Sequence, residues 1–283
     1  MLARQWLCRD HRLTFEEPVI MGVMNITPDS FSDGGNFYQA SDVLLDRVVC
    51  QAEQMLAEGA RILDIGGESS RPGATPVERT EEIRRVIPVI EALAGLNGLI
   101  SVDTYHVETA RAAVAAGAHI INDISGGADP AMRKLAVESG VGVCLMHMQG
   151  SPQTMQKNPT YSDVVEEVAD FLALRIQSCV ADGLAPEQIA IDPGFGFGKT
   201  LTHNLRLLRC LQKVRIAQHP LLVGLSRKSM LGTITGRPVD ERDTASVVAA
   251  VLAAQNGADV IRVHDVAKTN DGLQVLKGVA SDG

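Results

Sequence analysis

Short apolar runs alternate along the chain with longer segments in which apolar residues recur at helical spacing. Each run is rich in β-branched residues and ends in polar residues, which is typical of a buried parallel strand. Eight such runs are present: Val19–Ile26, Arg61–Ile65, Leu99–Thr104, His119–Ile124, Gly142–Met148, Ile189–Asp192, Leu221–Ser226 and Val260–Asp265. The segments between them predict helices, among them Ser41–Glu58 with Ser41 as N-cap, Val77–Ala94 and Asp243–Asn256. Three glycines that stand just before predicted strands, Gly59, Gly117 and Gly257, predict helix C-caps.

Eight strand–helix alternations in 283 residues predict an α/β protein built as a single (β/α)₈ TIM barrel. A doubly wound sheet is the alternative, but it usually needs fewer units and has a switch point that the sequence does not locate. We expect residues 1–17 to form a short N-terminal extension that caps the barrel bottom. Residues 18–283 are expected to form the barrel domain.

The composition excludes several classes of protein. With 26 basic and 34 acidic residues the net charge is −8, which argues against general binding to nucleic acid or an anionic membrane. The longest apolar run, Val247–Ala254, is too short to span a bilayer, and the first dozen residues do not resemble a signal peptide. Five scattered cysteines with no C-x-x-C pair predict a reducing, cytoplasmic location and no zinc site.

Polar residues stand at the carboxyl end of every predicted strand, which is the catalytic face of a parallel barrel. These residues are Asn25, Asp64, Asp103, Asn122, His147, Asp192, Ser226, Arg262 and His264. The hydrogen-bonding edge of a flat heterocycle is suited by Asp103, Asn122, Asp192 and Lys228. A polyphosphate is suited by Asn25, Ser70, Arg262 and His264. We find no Ser-His-Asp, Cys-His or zinc triad, so acyl transfer and metal hydrolysis are not expected.

Two long loops follow the first two strands. In the first, residues 24–35, Asn25, Asp29 and Asp33 could supply oxygen ligands to Mg²⁺, although a turn-rich connector accounts for the same residues equally well. The second, residues 66–73, opens with paired glycines and continues with hydroxyls and a guanidinium, which suit a phosphate or carboxylate. A surface turn is the alternative for this second loop.

Two further segments bear on ligand binding. The run at 192–200 fails the phosphate-loop pattern because Pro193 stands where glycine is required. We therefore predict a flexible loop with an inward carboxylate, Asp192, and two aromatic rings for stacking. The segment 226–229 combines two hydroxyls, two cations and a predicted helix start beside Arg262 and His264, which favours an anion site.

Eight motifs in chain order resemble those of the dihydropteroate synthases. They are NITPDSFSDGG (25–35), DIGGESSRPG (64–73), ISVDT (100–104), IND (121–123), MHMQG (146–150), DPGFGFGK (192–199), GLSRKSMLG (224–232) and RVHD (262–265). They cover nearly the whole chain. The fold of that family is a TIM barrel, in agreement with the strand count.

The resemblance implies a transferase of folate biosynthesis. Its reaction condenses 6-hydroxymethyl-7,8-dihydropterin diphosphate with 4-aminobenzoate to give 7,8-dihydropteroate and diphosphate. The resemblance also implies Mg²⁺ as cofactor, a cytoplasmic homodimer and a target of sulfonamides, which mimic aminobenzoate. Nucleic-acid and membrane partners are not expected.

The family's functional residues carry over by motif position. Asn25 resembles the Mg²⁺ ligand, and either Asp29 or Asp33 could join it. Asp103, Asn122, Asp192 and Lys228 match the pterin-binding positions, and Ser70, Arg262 and His264 match the diphosphate-binding ones. Ser226, with Arg71, Pro72, Phe31 and Phe197, resembles the aminobenzoate side, and Met146 is assigned to substrate binding. The catalytic set is Asp103, Asp192, Lys228, Arg262 and His264. Ser70 stands where the family commonly has threonine, and the serine side chain keeps the hydroxyl.

Two other functions are alternatives to the synthase. A pterin-binding methyltransferase module would share the Asp103, Asn122 and Asp192 pocket but has no use for a diphosphate site, so the two long loops and SRKS weigh against it. A non-catalytic pterin-binding protein would be expected to lack Arg262 or His264, and both are present.

Overall fold

The computed structural model describes residues 4–27, 45–69 and 77–280, with the backbone alone at 38–39 and 42–43. Twelve strands lie in these ranges: β1 (Arg4–Cys8), β2 (His11–Phe15), β3 (Val19–Asn25), β4 (Tyr38–Gln39), β5 (Asp42–Val43), β6 (Ala60–Gly66), β7 (Leu99–Asp103), β8 (Ile120–Asp123), β9 (Gly142–Met146), β10 (Ile189–Asp192), β11 (Leu222–Gly224) and β12 (Val260–Val263). The strand pairs β1–β2 and β4–β5 are antiparallel.

The other eight strands form one parallel sheet in the order β10-β9-β8-β7-β6-β3-β12-β11. A parallel bridge between Ile191 and Leu221 joins the first and last strands of this order and closes the barrel. The fold is therefore an α/β TIM barrel, and the eight strands predicted from apolar runs are confirmed.

Nine α-helices lie in the described residues, and they follow the barrel strands. They are α1 (Leu45–Ala57), α2 (Arg79–Leu93), α3 (Val107–Ala116), α4 (Pro130–Ser139), α5 (Val164–Ala181), α6 (Leu201–Arg209), α7 (Ser229–Thr235), α8 (Asp243–Gln255) and α9 (Val266–Ala280). Short 3₁₀ turns occur at Pro186–Gln188, Leu211–Val214 and Val239–Glu241. None of the helices described is long and apolar enough to cross a membrane.

Local sequence explains several helix ends. Asp163 caps α5 by accepting hydrogen bonds from the backbone N–H groups of Val165 and Glu166. The three glycines predicted as C-caps all have positive φ, as the left-handed ends of helices require. The predicted start of the first helix at Ser41 is wrong. That helix begins at Leu45, because the chain at 42–43 is still paired with 38–39 as an extended ribbon; Ser41 itself lies outside the described residues.

Two apolar layers surround the strands. The larger one packs strand side chains against the helices. The smaller fills the barrel at the amino ends of the strands, where Met21, Ile62, Leu99, Ile120, Cys144, Ala190, Leu222 and Val260 meet Trp6, Cys8 and Phe15 of the β1–β2 hairpin. Parallel strands covered on both faces read as continuous apolar runs, and for that reason the sequence pattern located them.

The N-terminal hairpin closes the barrel bottom. Trp6 is fully buried, and its indole Nε1 donates to the carbonyl oxygen of Gln188 at 2.9 Å. Arg4 pairs with Asp259 at 2.6 Å, and Asp259 also accepts from Arg215 and from the backbone N–H of Leu221. The expected cap is confirmed. With this end sealed, the opposite end is left for ligands.

Candidate active site

The polar residues predicted at the strand ends lie together at the carboxyl end of the barrel, which we call the mouth. Register fixes their heights: Asn25 is level with Gly66, Gly66 with Asp103, and Asp103 with Asn122. On the other side of the ring, Asp192 is level with Met146. Side chains from strands far apart in sequence therefore share one site.

An ion-pair network crosses the floor of the mouth. Arg262 Nε donates to Asp64 Oδ2 at 2.6 Å, and Arg262 Nη2 donates to Asp103 Oδ2 at 2.7 Å. Asn122 Nδ2 donates to the same Asp64 oxygen at 3.1 Å. The Asp64 side chain is fully buried, and its Oδ1 has no partner among the described residues. Asp64 thus aligns two residues that are expected to bind different ligands: Arg262, matched to diphosphate, and Asn122, matched to the pterin.

Burial changes the protonation of the carboxyls in the mouth. It raises the pKa of Asp103 to about 7, although the Arg262 cation opposes the rise. The negative charge of Asp64 adds to it. The pKa of Asp192 is also raised by burial, against the opposing charge of Lys228. Carboxyls with such shifts are typical of functional sites.

Lys228 completes this side of the mouth. Its Nζ donates to the carbonyl oxygen of Phe195, and it lies 4.7 Å from the centre of the Phe197 ring, a cation–π contact. Burial lowers the pKa of Lys228 to about 8, while the nearby Asp192 carboxylate acts in the opposite direction. The ammonium can therefore give up its proton more readily than an exposed lysine.

The loop from Asp192 to Lys199 gets its shape from alternate glycines. Gly194, Gly196 and Gly198 all have positive φ, of 68°, 80° and 62°. At Gly194 a Cβ atom would lie 1.9 Å from the carbonyl oxygen of His147, so no other residue fits there. The G-x-G-x-G spacing that failed the nucleotide pattern thus encodes a tight backbone path.

The same loop is held more firmly than the sequence predicted. Gly194 N–H donates to Asp192 Oδ1 at 2.7 Å, and Tyr161 Oη donates to the carbonyl oxygen of Gly198 at 2.8 Å. The expectation of two aromatic rings for stacking is wrong. Phe195 is fully buried in the main core, and Phe197 alone is partly exposed.

A second group of donors lies next to the network. His264 Nδ1 is 2.9 Å from the hydroxyl of Ser226, which also accepts from the His264 backbone N–H. Arg227 pairs with Asp243 at 3.1 Å and so turns towards α8. The predicted helix start after Lys228 is confirmed, since α7 begins at Ser229.

Several predicted site residues lie outside the described residues. They are Asp29, Phe31, Asp33, Ser70, Arg71 and Pro72, all in the two long loops. The first residues of the second loop are described and are held in place. Arg85 Nη1 donates to the Gly67 carbonyl oxygen at 2.9 Å, and Tyr105 donates to Glu68 Oε1 at 2.9 Å.

Asn25 and Asp103 both lie beside Gly66 at the mouth. A Cβ atom placed on Gly66 would lie 3.7 Å from Asn25 Oδ1 and 3.8 Å from Asp103 Oδ2, the oxygen that accepts from Arg262. Such oxygens are the ligands that Mg²⁺ prefers, together with phosphate oxygens of a substrate. Within the ranges described, no three His, Cys, Asp or Glu side chains cluster as a metal site of their own.

Comparison with known proteins assigns the family. A family model for pterin-binding enzymes matches residues 21–264. The dihydropteroate synthase of Haemophilus influenzae is 46% identical over 270 residues, which cover 95% of this chain and 96% of that protein. The chain belongs to the dihydropteroate synthases.

Solved structures of these synthases share the whole fold. A Yersinia pestis dihydropteroate synthase with a sulfonamide drug complex has a TM-score of 0.92 and 44% identity, covering 98% of this chain and 99% of that one. A Burkholderia cenocepacia dihydropteroate synthase complexed with 7,8-dihydropteroate has a TM-score of 0.90 and 46% identity, covering 99% and 98%.

Two residues of this synthase site have no role predicted from the sequence. Asp64 is predicted at a strand end but not as a site residue, and the structure puts it at the centre of the Arg262 network. Its period-two spacing with Gly66, which is level with Asp103, is the signal that could have found it. Lys199 occurs within the DPGFGFGK motif, and its side chain is buried at the end of the Asp192 loop.

Proposed function

We propose that the chain condenses 6-hydroxymethyl-7,8-dihydropterin diphosphate with 4-aminobenzoate at the barrel mouth. The products are 7,8-dihydropteroate and diphosphate, as the family assignment implies for this transferase. The observation that carries the proposal is the grouping of Asp103, Asn122, Asp192 and Lys228 at one end of the barrel, next to Arg262 and His264.

The pterin occupies the deep part of the pocket. Its amide and amidine edges offer paired N–H donors and a carbonyl acceptor, which the carboxylates, Asn122 and Lys228 complement. Asp192 accepts the paired N–H groups because a carboxylate presents two acceptor oxygens. Met146, level with Asp192 and buried, supplies an apolar surface for the ring.

The diphosphate lies towards Arg262 and His264, with Ser70 as a further donor. A guanidinium that already forms two ion pairs is held in one orientation, so little entropy is lost when it meets an anion. Asn25 would hold Mg²⁺ together with phosphate oxygens, and either Asp29 or Asp33 could join it. When bound, the ion neutralises the negative charge that develops on the leaving diphosphate.

The residues of the mouth stabilise charge rather than activate a nucleophile. The amine of 4-aminobenzoate is already neutral at pH 7, so its lone pair attacks the pterin methylene carbon without a strong base. The carbon–oxygen bond to diphosphate breaks, and the new C–N group releases one proton to solvent. Asp103 and Asp192 stabilise positive charge on the pterin while Arg262 and His264 stabilise the departing anion.

The aminobenzoate side is formed by Phe197 and Ser226 together with Phe31, Arg71 and Pro72 of the loops. Phe197 is the partly exposed ring of the Asp192 loop, and it is available for contact with an aromatic substrate. Sulfonamides are expected to compete for the same position. The sulfonamide drug complex of the Yersinia pestis relative supports this expectation.

We also propose that residues 18–283 form the barrel domain and residues 1–17 its extension.

We further infer that two copies of the chain associate through outer helices. Several apolar side chains on α8 and α9 are exposed: Val248 54%, Leu252 42%, Val275 68% and Val279 75%. A charged substitution such as Val248→Asp should turn a dimer into a monomer in sedimentation velocity. An unchanged sedimentation coefficient would argue against α8 as the interface. The cytoplasmic location stays a prediction.

The reaction is tested by diphosphate release. The chain is mixed with Mg²⁺ and the pterin diphosphate, with or without 4-aminobenzoate, and diphosphate and 7,8-dihydropteroate are quantified. We expect equal amounts of both products, and only when both substrates are present. A chain that binds pterin but releases no diphosphate would favour a binding protein or the methyltransferase alternative.

A further inference from the structure

Lys199 is a buried cation with no role in the reaction described above. It is 3% exposed, and among the described residues no carboxylate forms an ion pair with it. Taking an ammonium out of water is energetically costly unless its donors are satisfied. Burial accordingly lowers the pKa of Lys199, against the opposing charge of Asp192. So costly a group calls for a specific reason at this position.

The Lys199 ammonium is surrounded by acceptors of two neighbouring segments. Its Nζ lies 2.8 Å from His147 Nδ1 and donates to the carbonyl oxygens of Gly194 at 2.9 Å and Phe197 at 3.0 Å. A longer contact of 3.4 Å reaches the carbonyl oxygen of His147. The ammonium therefore ties the end of β9 to both halves of the Asp192 loop.

The His147 ring is suited to accept the hydrogen bond from Lys199. Its Nδ1 can accept only in the neutral form with the proton on Nε2. Burial and the neighbouring Lys199 charge lower the pKa of His147 to about 3, so the ring stays neutral over the working range of pH. The ring also packs edge-on against Phe171 at 4.9 Å, which fixes its plane. The acceptor is thus held in position.

The two carbonyl groups that Lys199 binds flank the parts of the loop that contact Lys228. Phe195, whose carbonyl oxygen accepts from Lys228, follows Gly194 directly. Phe197, whose own carbonyl oxygen accepts from Lys199, presents its ring to Lys228. Gly194 also binds Asp192 through its N–H. Every contact that orients Lys228 on this loop therefore depends on the backbone path that Lys199 fixes.

We propose that Lys199, with His147 as its acceptor, is a positioning residue that sets the loop from Asp192 to Lys199 so that Lys228 and Asp192 are correctly placed for the pterin. This assignment rests on the proposed function, because it concerns the pterin side of the same mouth. It predicts that loss of the ammonium weakens pterin binding and leaves the diphosphate side, at Arg262 and His264, unaffected.

The test measures binding by calorimetry with two probes, a pterin that lacks phosphates and inorganic diphosphate with Mg²⁺. Lys199→Met keeps the aliphatic stem and removes the donors. We expect its pterin affinity to fall at least tenfold, with diphosphate affinity within about twofold of wild type. Lys134→Met, on the exposed face of α4, is the matched control and should bind both probes like wild type.

A pair of His147 variants isolates the contact. His147→Asn can place an amide oxygen near the position of Nδ1, whereas His147→Leu has no acceptor. The proposal predicts near-normal pterin affinity for His147→Asn and at least a tenfold loss for His147→Leu. Thermal unfolding identifies which variants are folded.

The outcomes separate this inference from the proposed function. Wild-type protein that binds neither probe would refute the function itself. If wild type binds pterin and a folded Lys199→Met does so equally well, the positioning role is wrong. It is also wrong if Lys199→Met fails to fold while His147→Leu is folded and binds pterin like wild type. It is wrong, too, if neither variant folds. In both cases the contact between Lys199 and His147 would serve stability alone.

Discussion

At the scale of single residues, the mouth combines an acid and a base whose pKa values lie close together. Asp103 titrates near pH 7 because burial disfavours its charged form, and Lys228 titrates near pH 8 for the same reason. In the proposed function, the pterin N–H groups need the Asp103 carboxylate as acceptor and the pterin carbonyl needs the Lys228 ammonium as donor. The productive form of the free protein therefore has both groups charged.

This pairing predicts a bell-shaped pH dependence of kcat/KM for the pterin diphosphate. The raised pKa of Asp103 leaves the carboxyl protonated below about 7, so activity rises with pH through that value. The lowered pKa of Lys228 makes activity fall above about 8. Steady-state rates from about pH 6 to about pH 9 would show both limbs. The matched variant Asp103→Asn should lose the acidic limb, and a wild-type profile that is flat across this range would refute the assignment.

The apolar runs of the sequence predicted Asp103 and Asp192 at strand ends, and parallel pairing brings those strand ends together. The sequence could not show that Arg262 pairs with Asp64 and Asp103, since that contact depends on how far each side chain reaches across the barrel. It could not separate Phe195 from Phe197 either, because the loop path decides which ring is buried.

At the scale of elements, the loop after β10 depends on its glycines. We expect Gly194→Ala to lower kcat/KM at least tenfold and to lower the free energy of unfolding by about 3 kcal/mol or more. Two effects add: a left-handed conformation costs an L residue about 1–2 kcal/mol, and the new Cβ meets the carbonyl oxygen of His147 at 1.9 Å. Urea unfolding and steady-state kinetics measure the two quantities.

Gly236→Ala is the control for this prediction. Gly236 ends α7 with a φ of 71°, and nothing lies within 4 Å of a Cβ placed there. Its substitution should cost about 1 kcal/mol of stability through φ alone and leave kcat/KM unchanged. Equal effects at the two glycines would show that the contact with His147 does not constrain the loop.

Element boundaries show where sequence patterns stop being informative. The strand Ile189–Asp192 was predicted to the residue, since a turn borders it on each side. Helix α1 begins four residues later than predicted because Ser41, a good N-cap by type, is followed by a short β-ribbon. A capping residue marks a possible start, and pairing elsewhere in the chain decides whether it is used.

At the scale of the whole molecule, the hairpin that closes the barrel and the proposed ligand site lie at opposite ends of the barrel. The hairpin at the bottom contributes Trp6, Cys8 and Phe15 to the smaller core layer, whereas the proposed substrate site is at the mouth. Substitutions at the bottom should therefore change the free energy of unfolding without changing catalysis in the protein that remains folded.

Trp6→Ala tests this separation. Removing a fully buried indole should lower the free energy of unfolding by about 3–5 kcal/mol, the usual cost of such a truncation. Circular dichroism in urea measures it, because the variant lacks the only tryptophan of the chain. The exposed hairpin residue Arg12 is the control, and Arg12→Ala should change stability by less than about 0.5 kcal/mol. A large change in kcat/KM for folded Trp6→Ala would contradict the separation.

The proposed function divides the mouth into a pterin side and a diphosphate side. Calorimetry with a phosphate-free pterin and with inorganic diphosphate plus Mg²⁺ tests it in Asp192→Asn and His264→Ala. We predict that Asp192→Asn loses at least tenfold in pterin affinity, about 1.4 kcal/mol, and keeps diphosphate affinity, while His264→Ala shows the reverse. Equal losses of both ligands in both variants would contradict the division and the mechanism built on it.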